Sequence, residues 1–215
     1  MSTQDAEKRA AAEAAAALVE DGMTVGLGTG STVAFLLEAL ARRRLRLRCV
    51  ATSPATALLA GELGLTVEDF SGTAALDRLD IAIDGADQVT RDGWLIKGGG
   101  AAHLREKLVE VAADRFVVIA SSDKLVERLT APVPVELMAF GLAATLRRLR
   151  TVTLRNGPPS PDDNVIGDWY GDLADPAAAA ATLDVDPGVA GHGLFPPVLV
   201  HDVLVGTADG VVRVR

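Results

Sequence analysis

The sequence predicts an α/β fold: a mainly parallel sheet flanked by helices, with a second, smaller α+β lobe. Three observations point there. Short Val-, Ile- and Leu-rich runs alternate with longer Ala- and Leu-rich helical stretches as far as residue 131, the pattern of βαβ units. From Pro132 and Pro134 the texture changes to a mixture of helix, strand and loops rich in Pro, Asp and Gly. The tail then reads as two strands around an Ala-Asp-Gly turn, returning to the first sheet. The expected division is 1–131 plus about 196–215 for the sheet domain and about 132–195 for the lobe.

The opening segment carries Glu7, Lys8, Arg9 and Glu13 at helical spacing among alanines, and it stops near Asp21-Gly22. "MTVGLG" is a buried-strand pattern, and "TGSTVAFLLEALARRR" a helix entered through a Ser/Thr cap. "LRLRCVATS" is the second strand, "SPATALLAGELG" the next helix and "LDIAIDGAD" the third strand. A helix follows in "GAAHLREKLVEVAAD", then a fourth strand in "RFVVIASS", before "DKLVERL". On that helix Leu104, Leu108 and Val111 fall at i, i+4 and i+7, a stripe expected to face the core. Glu106 lies about 200° round from Leu104 and so points away from it, which by itself reads as solvated surface. His103 reads as surface or site rim, and no second His or Cys stands near it at metal-ligand spacing. His192 and His201 carry no assigned chemistry. The lobe contains a helix ("AFGLAATLRRLR"), a strand ("TVTLR") and a second helix ("DPAAAAATLD").

The composition narrows the function. The chain has 215 residues, 49% hydrophobic and 4% aromatic, so a sizeable core has to rest on Ala, Val and Leu. A net charge of −8 argues against general nucleic-acid binding but leaves room for a few cations around one phosphate. The Arg42, Arg43, Arg44 cluster reads as cations at a helix C-terminus rather than as an anion patch. A single cysteine, Cys49, excludes an intrachain disulfide, fits a reducing compartment and reads as a buried inert thiol. The start does not resemble a signal peptide, and no apolar run reaches transmembrane length. A cytoplasmic location is therefore expected, with no membrane contact.

Ligands of open parallel sheets bind outside the carboxyl ends of the strands. Four predicted strands end in polar, loop-forming residues, and together these should line one crevice: Gly28 to Thr32, Thr52-Ser53, Asp84 to Asp87, and Ser121 to Lys124. "GLGTGST" fails as a dinucleotide fingerprint, because Ser31 stands where the last glycine belongs and no acid ends the second strand near Val50. It also lacks the Gly-Lys-Ser/Thr of a P-loop. What remains suits a phosphate or sugar oxygens at a helix N-terminus, or is a plain capped turn. In "KGGG", Lys97 can hold a negative oxygen while the amides of Gly98, Gly99 and Gly100 point into the same space; the alternative is a flexible loop with a surface lysine. Asp84 and Asp87 at a strand end beside that lysine form a plausible acid–base set, or cap a turn.

"GTGST", "DGAD", "KGGGAAHLREK", "SSDKLV", "PVPVEL" and the late "PGVAGHGLF" with "DVLVGTADGV" together resemble the ribose-5-phosphate isomerase family of the A type, in that family's order. The resemblance implies a Rossmann-like sheet domain with a small α+β lobe, no metal or nucleotide cofactor, and a homodimer or homotetramer. It implies interconversion of ribose 5-phosphate and ribulose 5-phosphate through a cis-enediolate. Glu106 would be the general base. Lys97, Asp84 and Asp87 would bind sugar hydroxyls, assist ring opening and stabilise the enediolate. Thr29, Gly30, Ser31, Thr32 and Lys124 would hold substrate, with phosphate the charge they share, and Gly85, Ala86, Gly98, Gly99 and Gly100 would complete the binding loops. Lys8 would also reach phosphate. The sequence departs from the family at Gln88, where relatives usually carry an acid, and at His103, close to the base. It departs again in "NGPPSPDDNVIGDWYGDL" and in "FPPVLVHDVLV", which lacks an arginine before its Asp. Two rivals remain: a non-catalytic sugar-phosphate sensor of related fold, and a dinucleotide-dependent oxidoreductase. A sensor usually has an attached DNA-binding segment, and neither end shows a helix-turn-helix pattern.

Overall fold

The chain builds three sheets from fourteen short strands in a computed structural model that describes residues 2–215. The strands of the largest are β1 (Thr24–Leu27), β2 (Arg48–Ala51), β3 (Ile81–Gly85), β6 (Phe116–Ser121), β13 (Asp202–Thr207) and β14 (Gly210–Arg213). Their order is β14-β13-β6-β3-β1-β2, parallel except that β14 runs back along β13. The central β6 is buried at every residue, as its unbroken apolar run requires of a strand covered on both faces.

Helices α1 (Thr3–Ala16), α2 (Ser31–Arg43) and α3 (Pro54–Glu62) contribute to one core, built on Ala11, Ala12, Ala15, Leu36, Leu40 and Ala60. The small alanines let α1 lie tight against the sheet; a Cβ at Gly206 of β13 would sit 1.9 Å from the Glu7 carbonyl oxygen. The other face is covered through Val109 of α4 (His103–Val111) and by Phe195. Beside it lies a small sheet in the order β12-β5-β4-β7, made of β4 (Gln88–Thr90), β5 (Leu95–Ile96), β7 (Leu125–Val126) and β12 (Leu194–Phe195). The sequence patterns do not reveal this sheet, since its strands are too short to show a period.

The third sheet is antiparallel, in the order β11-β8-β10-β9. Its strands are β8 (Val133–Leu137), β9 (Val152–Leu154), β10 (Val165–Trp169) and β11 (Val189–His192). Leu149 of α5 (Leu142–Leu149) and Ala179 and Leu183 of α6 (Pro176–Asp184) pack on Val133, Val135 and Trp169 to form its own core.

Several details differ from the sequence patterns. The N-cap of α2 is Gly30, at φ 125° with no side-chain cap bond, so the expected Ser/Thr cap does not form. The nearby hydroxyls are engaged otherwise: that of Ser31 accepts from Lys8, and that of Thr29 lies 2.8 Å from the Thr52 hydroxyl. On α4 the expected stripe is inverted. Leu108 and Val111 are 57% and 62% exposed, while His103, Glu106, Val109 and Glu110 are buried. His103 is thus interior, not rim. The inversion has a physical cause: beside the apolar contact of Val109 the inner face of this helix meets the Lys97 ammonium, and carboxylates turn towards it. Cys49 is buried and free, and burial pushes its thiol up to about 12. Arg42 pairs with Glu13 and Glu38, and Arg43 donates to the carbonyls of Ala16 and Val19, so these cations are engaged within the fold. No helix among the described residues is long and apolar enough to cross a membrane.

Candidate active site

The turn after β1 meets the end of β3 at one point. A Cβ at Gly28 would lie 1.9 Å from the Asp84 carboxyl group, so only glycine lets the two strand ends come this close. Asp84 is thereby fixed: its Oδ1 accepts the N–H of Thr29 at 3.0 Å and of Gly85 at 2.6 Å. Its Oδ2 lies 2.8 Å from Lys97 Nζ.

Lys97 follows β5 and is only 2% exposed. Its ammonium donates to the Gly85 carbonyl at 2.5 Å and stands 3.4 Å from Glu106 Oε2 and 3.3 Å from Glu110 Oε1. The rings of Phe116 and Phe195 lie 5.9 and 5.5 Å away, a weak further attraction for a cation. The next residues are held from two sides. Gly99 N–H donates to Asp87 Oδ2 at 2.8 Å, and Arg155 of the lobe donates to the Gly98 carbonyl at 2.9 Å while paired with Asp168. Gly98 has φ +102°, and a Cβ there would strike His103 and Pro134.

These groups open into a cleft of about 170 Å³. Its wall contains Thr29 to Thr32, Gly85, Ala86, Asp87, Lys97, the three glycines 98 to 100, Glu106 and Lys124. It also contains Lys8, whose Nζ donates to Ser31 Oγ at 3.0 Å. Asp84 is the one candidate outside the wall, buried behind Lys97. The Thr52 end of the second strand supports rather than lines: Thr52 Oγ1 lies 2.8 Å from Thr29 Oγ1, and Ser53 caps α3. Lys124 is set by the turn after β6, where Glu7 of α1 accepts the Ser122 N–H and hydroxyl at 3.0 and 2.8 Å. Lys8 and Lys124, the latter 3.3 Å from Asp123, stand beside the first turn of α2 at one end of the cleft, an arrangement of the kind that can hold an anion. A larger groove of about 870 Å³ lies elsewhere, between α3, residues 65–71 and Arg105 and Leu108 of α4, and brings none of these groups together.

The chain matches the family Ribose 5-phosphate isomerase A (phosphoriboisomerase A) over residues 48–210. It is 45% identical to ribose-5-phosphate isomerase A of Halorubrum lacusprofundi, over 96% of this chain and 95% of that one. The same enzyme of Caulobacter sp. (strain K31) is also 45% identical, over 97% of each. The chain belongs to the ribose 5-phosphate isomerase A family. The crystal structure of ribose 5 phosphate isomerase A from Neisseria gonorrhoeae superposes with a TM-score of 0.92 at 34% identity, over 99% of this chain and 97% of that one. A shorter match, to the DeoR C terminal sensor domain, covers residues 3–74.

The departures from the family pattern have local explanations. Gln88 clasps the Thr130 backbone, donating to its carbonyl and accepting its N–H, both at 2.8 Å, which no carboxylate could do. His103 fills the space beside Gly98 without a hydrogen-bond partner among the described residues, and burial with Lys107 and Arg155 nearby pushes it down to about 3, so it is neutral. In the altered loop Asp162 pairs with Arg105, while Ser160 and Asn164 donate to buried Glu136. Asp202 finds its arginines on other elements, Arg115 and Arg213.

Burial raises the three carboxyls around Lys97. It pushes Glu106 up to about 8 against the pull of Lys97, with Asp84 adding to the rise. Asp84 is raised by burial despite Lys97. For Lys97 burial favours the neutral form, but Asp84, Glu106 and Glu110 together outweigh it and keep the ammonium charged. Glu110, which the sequence motifs do not single out, is raised well above its ordinary value by burial. Its signal was its place four residues after Glu106, on the same helix face.

Proposed function

We propose that the protein interconverts D-ribose 5-phosphate and D-ribulose 5-phosphate, a step of the non-oxidative pentose phosphate pathway. The observation that carries this reading is the buried approach of Glu106 to Lys97, 3.4 Å apart, in a cleft that also presents Lys8 and Lys124. The two exposed-end lysines and the α2 N-terminus take the phosphate. Glu106, as carboxylate, removes the proton from C2 of the open-chain aldose; the C–H pair becomes the C1–C2 double bond, and the carbonyl pair moves to O1. Lys97, already held in place by Asp84 and the Gly85 carbonyl, balances the charge of this enediolate as a cation that needs no reorganisation. The same carboxyl returns its proton to C1, while the O2 hydroxyl gives up a proton and O1 gains one, leaving the ketose. One base serves both carbons, so it need not move. Asp87 holds hydroxyls, and Asp84 steadies Lys97 from behind. Lys97 supplies the positive charge, so neither metal nor nucleotide is required.

A sugar-phosphate sensor would need the anion end but not the base. The DeoR-type match fits that distinction: it includes Lys8 and residues 29 to 32 but ends before Asp84, Lys97 and Glu106. In this reading residues 1–131 with about 196–215 carry the chemistry, and the lobe of about 132–195 braces it. The working form is a cytoplasmic homodimer or homotetramer. The test is to incubate the protein with ribose 5-phosphate and a chelator, without nucleotide, and to follow ketose formation. Absence of ketose overturns the proposal.

A further inference from the structure

Helix α4 carries a second buried acid that the chemistry above leaves unused. Glu110 is 3% exposed, and apart from the Lys97 ammonium no donor reaches its carboxyl oxygens among the described residues. Its one close charged neighbour is Lys97 Nζ, 3.3 Å from Oε1. The other ionisable groups acting on it or sensing it are Glu106 and Lys107 of its own helix and Asp84 of β3, and Phe116 and Phe195 flank the ammonium. A buried carboxyl whose one donor is an ammonium shared with three other acceptors costs stability, and an apolar or amide side chain of similar volume would suit the fold at least as well. The fold therefore gives no reason for an acid at this position.

The ammonium does give one. Lys97 has three protons, and four acceptors surround it: Asp84 Oδ2, the Gly85 carbonyl, Glu110 Oε1 and Glu106 Oε2. Glu106 and Glu110 lie at the longer distances, so they compete for what Asp84 and Gly85 leave. During turnover Glu106 passes between anion and acid, while the cation has to remain in place and charged. We propose that Glu110 is a positioning residue that shares the Lys97 ammonium, and a single proton, with Glu106, so that Glu106 meets only part of the cation's field and stays a strong base. Burial raises both carboxyls, and the charge of Glu106 adds to the rise of Glu110. Without Glu110 the whole field of Lys97 falls on Glu106, and its carboxylate becomes a more stable and weaker base.

This inference rests on the isomerase reading, and one experiment separates the two. The full-length parent and Glu110→Gln are assayed with ribose 5-phosphate across roughly pH 5–9, and both are melted thermally. Ketose formation by the parent at its plateau tests the isomerase reading; displacement of the limb in the variant tests Glu110. The expected result is an acid limb of kcat/KM displaced to lower pH by about one unit. Plateau kcat should fall by roughly 3–10-fold, since a weaker base transfers protons more slowly. The thermal midpoint should hold or rise. An acid limb that stays where the parent's lies would overturn the proposal. So would a variant that melts lower or fails to fold, because Glu110 would then be serving the structure.

Discussion

At Glu106 burial and charge pull in opposite directions. Loss of water raises the carboxyl to about 8, and Lys97 at 3.4 Å limits the rise. The outcome is a group near the middle of the physiological range, where a base is both present as anion and strong enough to act. Glu106→Gln keeps the shape and removes the base; kcat should fall by about 10²–10⁴-fold with KM for ribose 5-phosphate little changed, read by steady-state kinetics. Near-normal turnover would remove Glu106 from the reaction. The raised value also fixes the sign of the pH dependence. If Glu106 acts as the anion, kcat/KM should climb with pH, bend near pH 8 and level off only above it, falling about tenfold per unit on the acid side. The limb belongs to the cluster of Lys97, Asp84, Glu106 and Glu110 rather than to one residue. A flat profile between pH 6 and 8 would contradict it.

Among the elements, α2 and α4 show how a site uses helix ends and faces. α2 begins at a glycine with no side-chain cap, which leaves its first N–H groups and the Ser31 hydroxyl to the cleft. Lys8 from α1 and Lys124 after β6 close the same end. Lys124→Ala should therefore raise KM for ribose 5-phosphate about tenfold or more, in a salt-dependent way, with a smaller effect on kcat. Equal losses in kcat and kcat/KM would instead place Lys124 at the transition state. α4 turns its acids inward and leaves Leu108 and Val111 outside because its partner is the Lys97 ammonium. Hydrophobic periodicity assumes an apolar interior, so at this helix it selects the wrong face.

For the molecule as a whole, the lobe reaches the site through backbone and charge. Arg155, anchored on Asp168, donates to the carbonyl of Gly98, and Arg105 and Lys107, either side of Glu106, reach Pro161 and Asp162 and the carbonyls of His192 and Leu194. Helix α4 around Glu106 and the glycine loop are thus braced by residues remote in the chain. Arg155→Met removes one brace without touching the chemistry, and a loop misplaced by about 1 Å can cost up to about 10²-fold in rate. Stopped assays of kcat beside far-ultraviolet circular dichroism will tell; unchanged kcat in a folded variant would show that the lobe does not position the loop.

The chain order itself dictated much of this. Alternating apolar runs and helical stretches fixed a parallel sheet, and the motifs at its strand ends, GTGST, DGAD and KGGG, marked the residues that meet in the cleft, because backbone turns of this kind are local properties of a few residues. Other features depend on neighbours remote in sequence. The inward face of α4, burial of His103, the two-residue strands of the small sheet and the grip of Arg155 on Gly98 follow from which elements pack together. Above all, only the folded chain brings Glu110 to Lys97 and raises Glu106, since both effects need water removed by walls that come from β3, β6, β12 and α4 at once.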